Sequence, residues 1–332
     1  MMNTMTDNYF KDKNILVTGG TGFIGANLVD RLLSLGANVR SIIHQRDIVV
    51  DNDRVEYVKC NLLDMKDCKK IPKDIDIVFH CAAVTHGAAI ITSDPLSIVT
   101  PNIIMNAQML YAAYRSGVKK FVFISSSAAY PPTGIRHTKE EEMFIDDPHD
   151  SYFGVGWMKR YSEILCRLYS EKLRLMKTVV IRPGNVYGPF DNFNLSTSHV
   201  MSATIRKVIE RKNPTEVWGI GNDIRDFIYI DDFIDGLLLA TEKIDGYEYN
   251  PINIASGKGY TVSEILKMAI EIDGADDIEI IYNKDKPSTI PMRLIDTSKA
   301  EKLLGFKAKV DIKEGIKKTI DWYKENLYNR DI

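Results

Sequence analysis

The chain has 332 residues, 45% hydrophobic and 27% charged, the make-up of an ordinary globular protein long enough to bury a substantial core in one large domain or two small ones. Lys+Arg at 43 nearly balances Asp+Glu at 45, so neither nucleic acid nor an anionic membrane is expected as a partner, and any bound anion needs a local site. Cys60, Cys68, Cys81 and Cys166 show no CxxC pair or metal-ligand spacing, so no metal is expected and the thiols read as reduced. No apolar run approaches the ~20 residues that span a bilayer, and MMNTMTDNYFKDK carries no signal-peptide pattern, so the expected location is cytoplasmic.

From Asn14 to about Arg182, short apolar, β-branched runs alternate with amphipathic stretches, which predicts a parallel sheet covered by helices on both faces. The runs begin at Ile15, Val39, Val55, Asp76, Lys120 and Thr178, and helical periodicity lies near 23–35, 95–116 and 151–175. Right-handed crossovers between them make a doubly wound, Rossmann-type α/β sheet. After Pro183 the rhythm breaks into the turn-rich GPFDNFNLSTSHV, then a helix over about 199–211 and a short strand at 216–218. RDFIYIDD, the apolar FIDGLLLA and the strand-like PINIA read as a return to the sheet.

The segment NILVTGGTGFIGANLVDRLLSLGANV places a GxxGxxG run between a strand and a helix of one βαβ unit, the context that makes such glycines informative. Gly19 permits the tight turn, Gly22 lets the backbone approach a pyrophosphate, and Gly25 lets helix pack on strand, while helix-start N–H groups meet the negative charge. The cofactor expected is NAD or NADP. The second strand runs into His44, Gln45 and Arg46 without the acid that bonds the adenosine ribose in many NAD sites. Arg46 suits a 2′-phosphate or an ordinary surface loop, so both dinucleotides stay open. The expected organisation is a dinucleotide-binding domain over 1–184 with 226–256 returning to it, and a smaller α/β substrate lobe from 185–225 and 257–332.

TGGTGFIG at Thr18, CNLLD at Cys60, VFHCAA at Val78, Asn102, FVFISSSAAYP at Phe121, GWMK ending at Lys159, RPGNVYGP at Arg182 and RDFIYIDD at Arg225 follow one another along the chain. Together they resemble the extended short-chain dehydrogenase/reductases, the NAD-dependent epimerase/dehydratase family of nucleotide-sugar enzymes. The resemblance implies a cofactor cradle of Gly19, Thr21, Gly22, Phe23, Ile24 and Gly25. It adds cofactor contacts from His44, Arg46, Asn61, Leu62, Ala82, Ala83, Asn102, Lys159 and Pro183. GPFDNFNLSTSHV and VWGIG are most similar to the GDP-L-fucose synthase branch, which implies substrate contacts from Asn185, Val200, Trp218 and Arg225. Trp218 can stack on a base and Arg225 can pair with a phosphate; core packing and a surface ion pair are the alternatives.

In this family a serine or threonine polarises the sugar oxygen, a tyrosine exchanges its proton, and a lysine lowers the tyrosine's pKa while holding the nicotinamide ribose. Ser126, four residues before Tyr130, is the matching hydroxyl, with Ser127 beside it, and Lys159 is the matching lysine. The tyrosine position, four residues before Lys159, holds Val155, which can neither donate nor accept a proton. Tyr152, one helical turn away, is a substitute phenol or a packing residue. The cysteine that serves epimerisation at carbons 3 and 5 is replaced by Ala128, whereas the histidine of SHV is present as His199. Ser127-Ala128 stands where a 4,6-dehydratase carries Asp-Glu.

The expected activity is NAD(P)-dependent hydride transfer at carbon-4 of a nucleotide sugar, a GDP-hexose or GDP-heptose, in surface polysaccharide synthesis. Ser126, Ser127, Tyr152, Lys159 and His199 are the candidate catalytic residues; a 4-epimerase and a cofactor-binding scaffold are the alternatives. A homo-oligomer is expected through helices 95–116 and 151–175, with Met105, Met109, Leu165 and Leu168 either at that interface or in the core.

Overall fold

A computed structural model describes residues 6–286 and 290–328. Its centre is a seven-stranded parallel sheet ordered Val55–Lys59, Asn38–Ile43, Asn14–Thr18, Ile77–His80, Lys120–Ile124, Lys177–Pro183, Ile252–Ile254. All six apolar runs before Pro183 are in it, and PINIA supplies the seventh strand. Successive side chains of a strand point to opposite faces, and here they feed two separate cores. Ile15, Val17, Phe79, Val122 and Val179 pack with helices Phe23–Ser34 and Ile230–Lys243. Leu16, Val78, Phe121, Phe123 and Val180 pack with helices Leu96–Arg115 and Phe153–Arg167. That two-sided cover is the doubly wound arrangement. Among the described residues no helix is long and apolar enough to cross a membrane.

Met105 and Met109 lie inside the second core with Leu165 packed against it, whereas Leu168 is exposed. Of the four residues weighed for an interface, the two methionines are therefore core. The helix expected over 151–175 is also more broken than its periodicity implies. It comprises a 3₁₀ turn, Asp150–Tyr152, the α-helix Phe153–Arg167 and a π-helical turn, Leu168–Lys172. The Leu173 N–H reaches back five residues to the Leu168 carbonyl (3.0 Å), and Arg174 at φ 51° ends the run.

The larger departure is RDFIYIDD. Strand Ile224–Tyr229 does not rejoin the seven-stranded sheet but sits at the centre of a second one, beside Asn185–Tyr187, Gly259–Thr261 and Met292–Ile295. Met292–Ile295 pairs in turn with His137–Thr138, from the N-terminal half. The buried Asp226 carboxylate explains the placement: it accepts from Ser256 N (2.9 Å), Ser256 Oγ (2.7 Å) and Gly257 N (3.0 Å). This pins the strand to the turn that follows Ile252–Ile254. Only the apolar helix and PINIA return to the main sheet, so residues 226–229 and 137–138 lie on the other side of the expected divide.

Strand Lys177–Pro183 is tied to helix Phe153–Arg167 by Arg182 and Glu163, 2.6 Å apart with side chains 1% and 0% exposed. Glu163 also accepts from the Ser125 and Tyr249 hydroxyls. Arg182 Nη1 donates to Tyr130 Oη (3.0 Å) and to the Glu140 carbonyl (2.7 Å). Buried charges persist when both are paired and hydrogen-bonded, and removing one leaves the other uncompensated. Arg182→Met is expected to lower the unfolding free energy in urea by about 3–5 kcal/mol. Adding Glu163→Leu should recover a substantial part of that loss.

Candidate functional site

The strand order reverses between Asn14–Thr18 and Ile77–His80, and their C-terminal ends open the crevice in which ligands of such sheets bind. Gly19 there has φ +68°, and a Cβ on it would stand 2.8 Å from the Ala82 Cα. A Cβ on Gly25 would stand 2.1 Å from the Gly19 carbonyl oxygen, so helix and turn touch backbone to backbone. Gly20 is equally constrained, its missing Cβ falling 1.9 Å from Ser41 Oγ; the second glycine of TGGTG is the signal the GxxGxxG spacing passes over. Gly22 caps the helix Phe23–Ser34, and only the Gly19 oxygen, at 3.2 Å, comes within 4 Å of its hypothetical Cβ. The result is an open cradle beneath the unpaired N–H groups of a helix start, with buried Thr21 beside it and Phe23 and Ile24 packed against the core. A dinucleotide pyrophosphate fits this donor set.

Behind the cradle runs a chain of hydrogen bonds that the motifs do not announce. Thr18 Oγ1 accepts from Ala82 N (3.1 Å) and donates to His80 Nδ1 (2.9 Å). His80 Nε2 donates to Asn106 Oδ1 (3.0 Å), Asn106 Nδ2 to Ser162 Oγ (2.9 Å), and Ser162 Oγ to the Met158 carbonyl (2.9 Å). With Nε2 facing the Asn106 amide oxygen, a neutral His80 imidazole carries its proton there and leaves Nδ1 to accept from Thr18. Burial pushes its pKa down to about 4, against the pull of Asn106. The sequence signal was a histidine inside the apolar VFHC strand.

Other predicted cofactor residues are placed as follows. Asn102 is buried and saturated: its Oδ1 accepts from Val84 N (2.9 Å), and its Nδ2 donates to the carbonyls of Val84 and Ile98 (2.8 Å each). It shapes the loop after Ile77–His80, in which Ala82 and Ala83 lie, and has no donor left for a ligand. Asn61 Oδ1 accepts from Leu63 N (3.1 Å), while Leu62 is core. His44 and Arg46 are exposed beyond the second strand, and Pro183 ends its strand opposite Ile254.

Strand Lys120–Ile124 leads into Ser125–Ser127. Ser126 Oγ accepts from Ala128 N (3.1 Å), capping the 3₁₀ turn Ser127–Ala129, so its own proton remains available for donation; Ser127 is buried. Lys159 Nζ donates to the Ile124 carbonyl (2.8 Å), immediately before this turn, and lies 5.0 Å over the Phe123 ring. Burial pushes the Lys159 pKa down to about 8, with Glu163 and Cys81 opposing. Val155 is one helical turn earlier. With half-buried Tyr152 it lines a groove of about 330 Å³ shared with Ile91, Pro95, Leu96 and Val99.

Asn185 belongs to the short strand that pairs with Phe227–Tyr229, and from it the chain passes to His199, the exposed N-cap of helix Val200–Ile209. Val200 packs against the first core. Asp191 accepts from the Ser202 hydroxyl, at the third position of that helix; burial raises its pKa, with His199 and Arg46 pulling the other way. Trp218, 40% exposed, ends strand Thr215–Trp218 with Lys286 Nζ 5.5 Å over its ring. Arg225 Nη1 donates to the Ile224 carbonyl (2.9 Å), and its Nη2 stands 3.4 Å from Asp223. Among the described residues there is no His/Cys/Asp/Glu group of metal-holding size.

Comparison with known proteins agrees with this architecture. Residues 15–255 match the NAD dependent epimerase/dehydratase family, and the chain belongs to it. It is 27% identical over 326 residues to GDP-L-fucose synthase 1 of Arabidopsis thaliana, covering 96% of each chain. It is 28% identical over 330 residues to dTDP-4-dehydro-6-deoxy-D-allose reductase of Streptomyces sp, covering 96% of this chain and 99% of the relative. The crystal structure of UDP-glucose 4-epimerase from Thermotoga maritima with UDP-glucose superposes with a TM-score of 0.84 at 29% identity, over 95% of this chain and 99% of that one. The chain is thus a member of a nucleotide-sugar epimerase, dehydratase and reductase family whose cofactor is NAD(P).

The His80 chain has a measurable consequence. Because the folded pKa, about 4, lies below the ordinary 6.5, the unfolded protein binds the extra proton between those values. The contribution to stability is complete above pH 6.5 and is lost as pH falls through 4. Unfolding free energy should therefore decline with falling pH across this window, and His80→Gln should flatten that slope even though it lowers the plateau.

Proposed function

We propose that this chain is an NAD(P)-dependent oxidoreductase that moves a hydride to or from carbon-4 of a nucleotide sugar, a GDP-hexose or GDP-heptose, in surface polysaccharide synthesis. The observation that carries the reading is that Lys159 reaches from its helix to the Ile124 carbonyl, two residues before Ser126, at the end of the sheet where the glycine turn also lies. When bound, NAD(P) supplies the hydride acceptor or donor. Ser126, already accepting from Ala128, donates its proton to the reacting sugar oxygen. Lys159, anchored on the Ile124 carbonyl, presents its remaining N–H groups to the nicotinamide ribose. Proton exchange falls to His199, Tyr152 or solvent. Trp218 and Arg225, with Lys286 beside the ring, favour an aromatic base and its diphosphate.

Epimerisation at carbon-4 is the second reading, favoured by the superposition on a UDP-glucose 4-epimerase. It predicts no net change in cofactor, and NMR of the products separates the two. A homodimer fits the outer surface: Phe153, Trp157, Tyr161, Ile164 and Leu168 form an exposed stripe at helical spacing, flanked by Ile104 and Tyr111.

Purified protein with NAD(H) or NADP(H) and GDP-, UDP-, CDP- or dTDP-sugars should show a change in nicotinamide absorbance with at least one; silence with all would sink the proposal. Ser126→Ala should lower kcat by about a hundredfold. Val155→Tyr, which restores a phenol one turn from Lys159, should raise kcat by at least about tenfold. Activity should decline as pH rises through about 8, where Lys159 loses its charge; Lys159→Arg should move that limb upward.

A further inference from the structure

Segment 189–199 forms a strap over the crevice at the C-terminal ends of the central strands. At one end Asn27, on the helix after the glycine turn, donates from Nδ2 to the Pro189 carbonyl (3.0 Å). At the other, Gly87, in the loop after Ile77–His80, donates its N–H to the Thr197 carbonyl (3.0 Å). The two backbones are so close that a Cβ on Gly87 would stand 2.6 Å from the Ser198 carbonyl oxygen.

At this seam two side-chain atoms, His86 Nδ1 and Ser198 Oγ, are buried without a hydrogen-bond partner among the described residues. His86 precedes Gly87 and Ser198 follows Thr197, so the two flank the same backbone bond. Unmet buried polar groups are uncommon and costly, and two at one contact mark a place where partners arrive with a ligand. The strand that leads to the seam neighbours both the strand of the glycine turn and the strand that leads to Ser126.

We propose that His86 and Ser198 bind the sugar portion of the substrate, hydrogen-bonding its hydroxyl groups when the seam between the 84–87 loop and the strap opens to admit it. This rests on the functional reading above and assigns it two residues. The chemistry suits a polyol: a serine hydroxyl both donates and accepts, an imidazole nitrogen does either, and each sugar hydroxyl can answer both. Neither group is a permanent cation of the kind that fixes a phosphate. Gly87 is required because any side chain there would wedge the seam open.

Ser198→Ala and His86→Phe in the full chain test the assignment by calorimetric titration with GDP-mannose, UDP-glucose and dTDP-glucose, and with GDP, UDP and dTDP. For a sugar nucleotide that the wild type binds, each variant should bind about tenfold more weakly, while affinity for the matching nucleoside diphosphate stays within about twofold. The thermal midpoint of Ser198→Ala should be no lower than that of the wild type, since an unmet hydroxyl is removed. Unchanged sugar-nucleotide affinity in both variants, or equal losses for sugar nucleotide and diphosphate, would overturn the assignment alone. A wild type that binds NADH but none of the three sugar nucleotides would overturn the functional reading and the assignment together.

Discussion

Glu163 and Arg182 join parts of the chain that are far apart in sequence, and the candidate site is arranged around that joint. Glu163 shares one helix face with Lys159 and Val155, at successive spacings of four. Arg182 is on the neighbouring strand, and Ser125, which donates to Glu163, immediately precedes Ser126. Tyr249 and Tyr130 close the joint from the second half and from the loop after Ser126. Each partner is a buried charge that would be costly alone, so helix, strand and serine turn have one arrangement that leaves neither uncompensated. Lys159 then reaches the Ile124 carbonyl because the helix carrying it is fixed relative to that strand.

The Thr18–His80–Asn106–Ser162 chain does for the crevice what the ion pair does for the helix. It spans the reversal point of the sheet, linking the strand of the glycine turn to the next strand and then to both helices on the second face. Asn106 Nδ2 also reaches Met158 Sδ (3.6 Å), and the buried histidine, with its pKa pushed down to about 4, is a neutral, rigid spacer at ordinary pH. Around this frame the glycine cradle, Ser126 and Lys159 stand together, while position 155 offers only methyl groups toward the groove it shares with Tyr152. At the seam between Gly87 and Thr197, His86 Nδ1 and Ser198 Oγ are left without partners among the described residues.

Much of this was legible in the residues. Periodicity placed the strands of the main sheet because they are short apolar runs, the central ones buried on both faces, and Gly19 and Gly25 were legible because a Cβ there would stand within 3 Å of neighbouring backbone. Ser126, Val155 and Lys159 were singled out by the family resemblance, and a turn and a helix bring the Lys159 ammonium to the Ile124 carbonyl, two residues before Ser126. The role of RDFIYIDD was misjudged because an apolar strand does not say which sheet it joins; Asp226 and its clamp on Ser256 and Gly257 decided that. Met105 and Met109 were ambiguous because one helix has a face to the core and a face to solvent, and spacing does not tell which is which.

By itself, then, the sequence determined the doubly wound sheet, the glycine cradle and the residue types around Ser126 and Lys159, since these follow from local sterics, period and order along the chain. Only the tertiary structure decided that Asn102 is saturated by its own loop, that His80 is neutral, that Glu163 meets Arg182, and that His86 and Ser198 share a seam. Those outcomes depend on partners tens of residues apart, whose meeting is set by packing and by the need of every buried polar group for a partner.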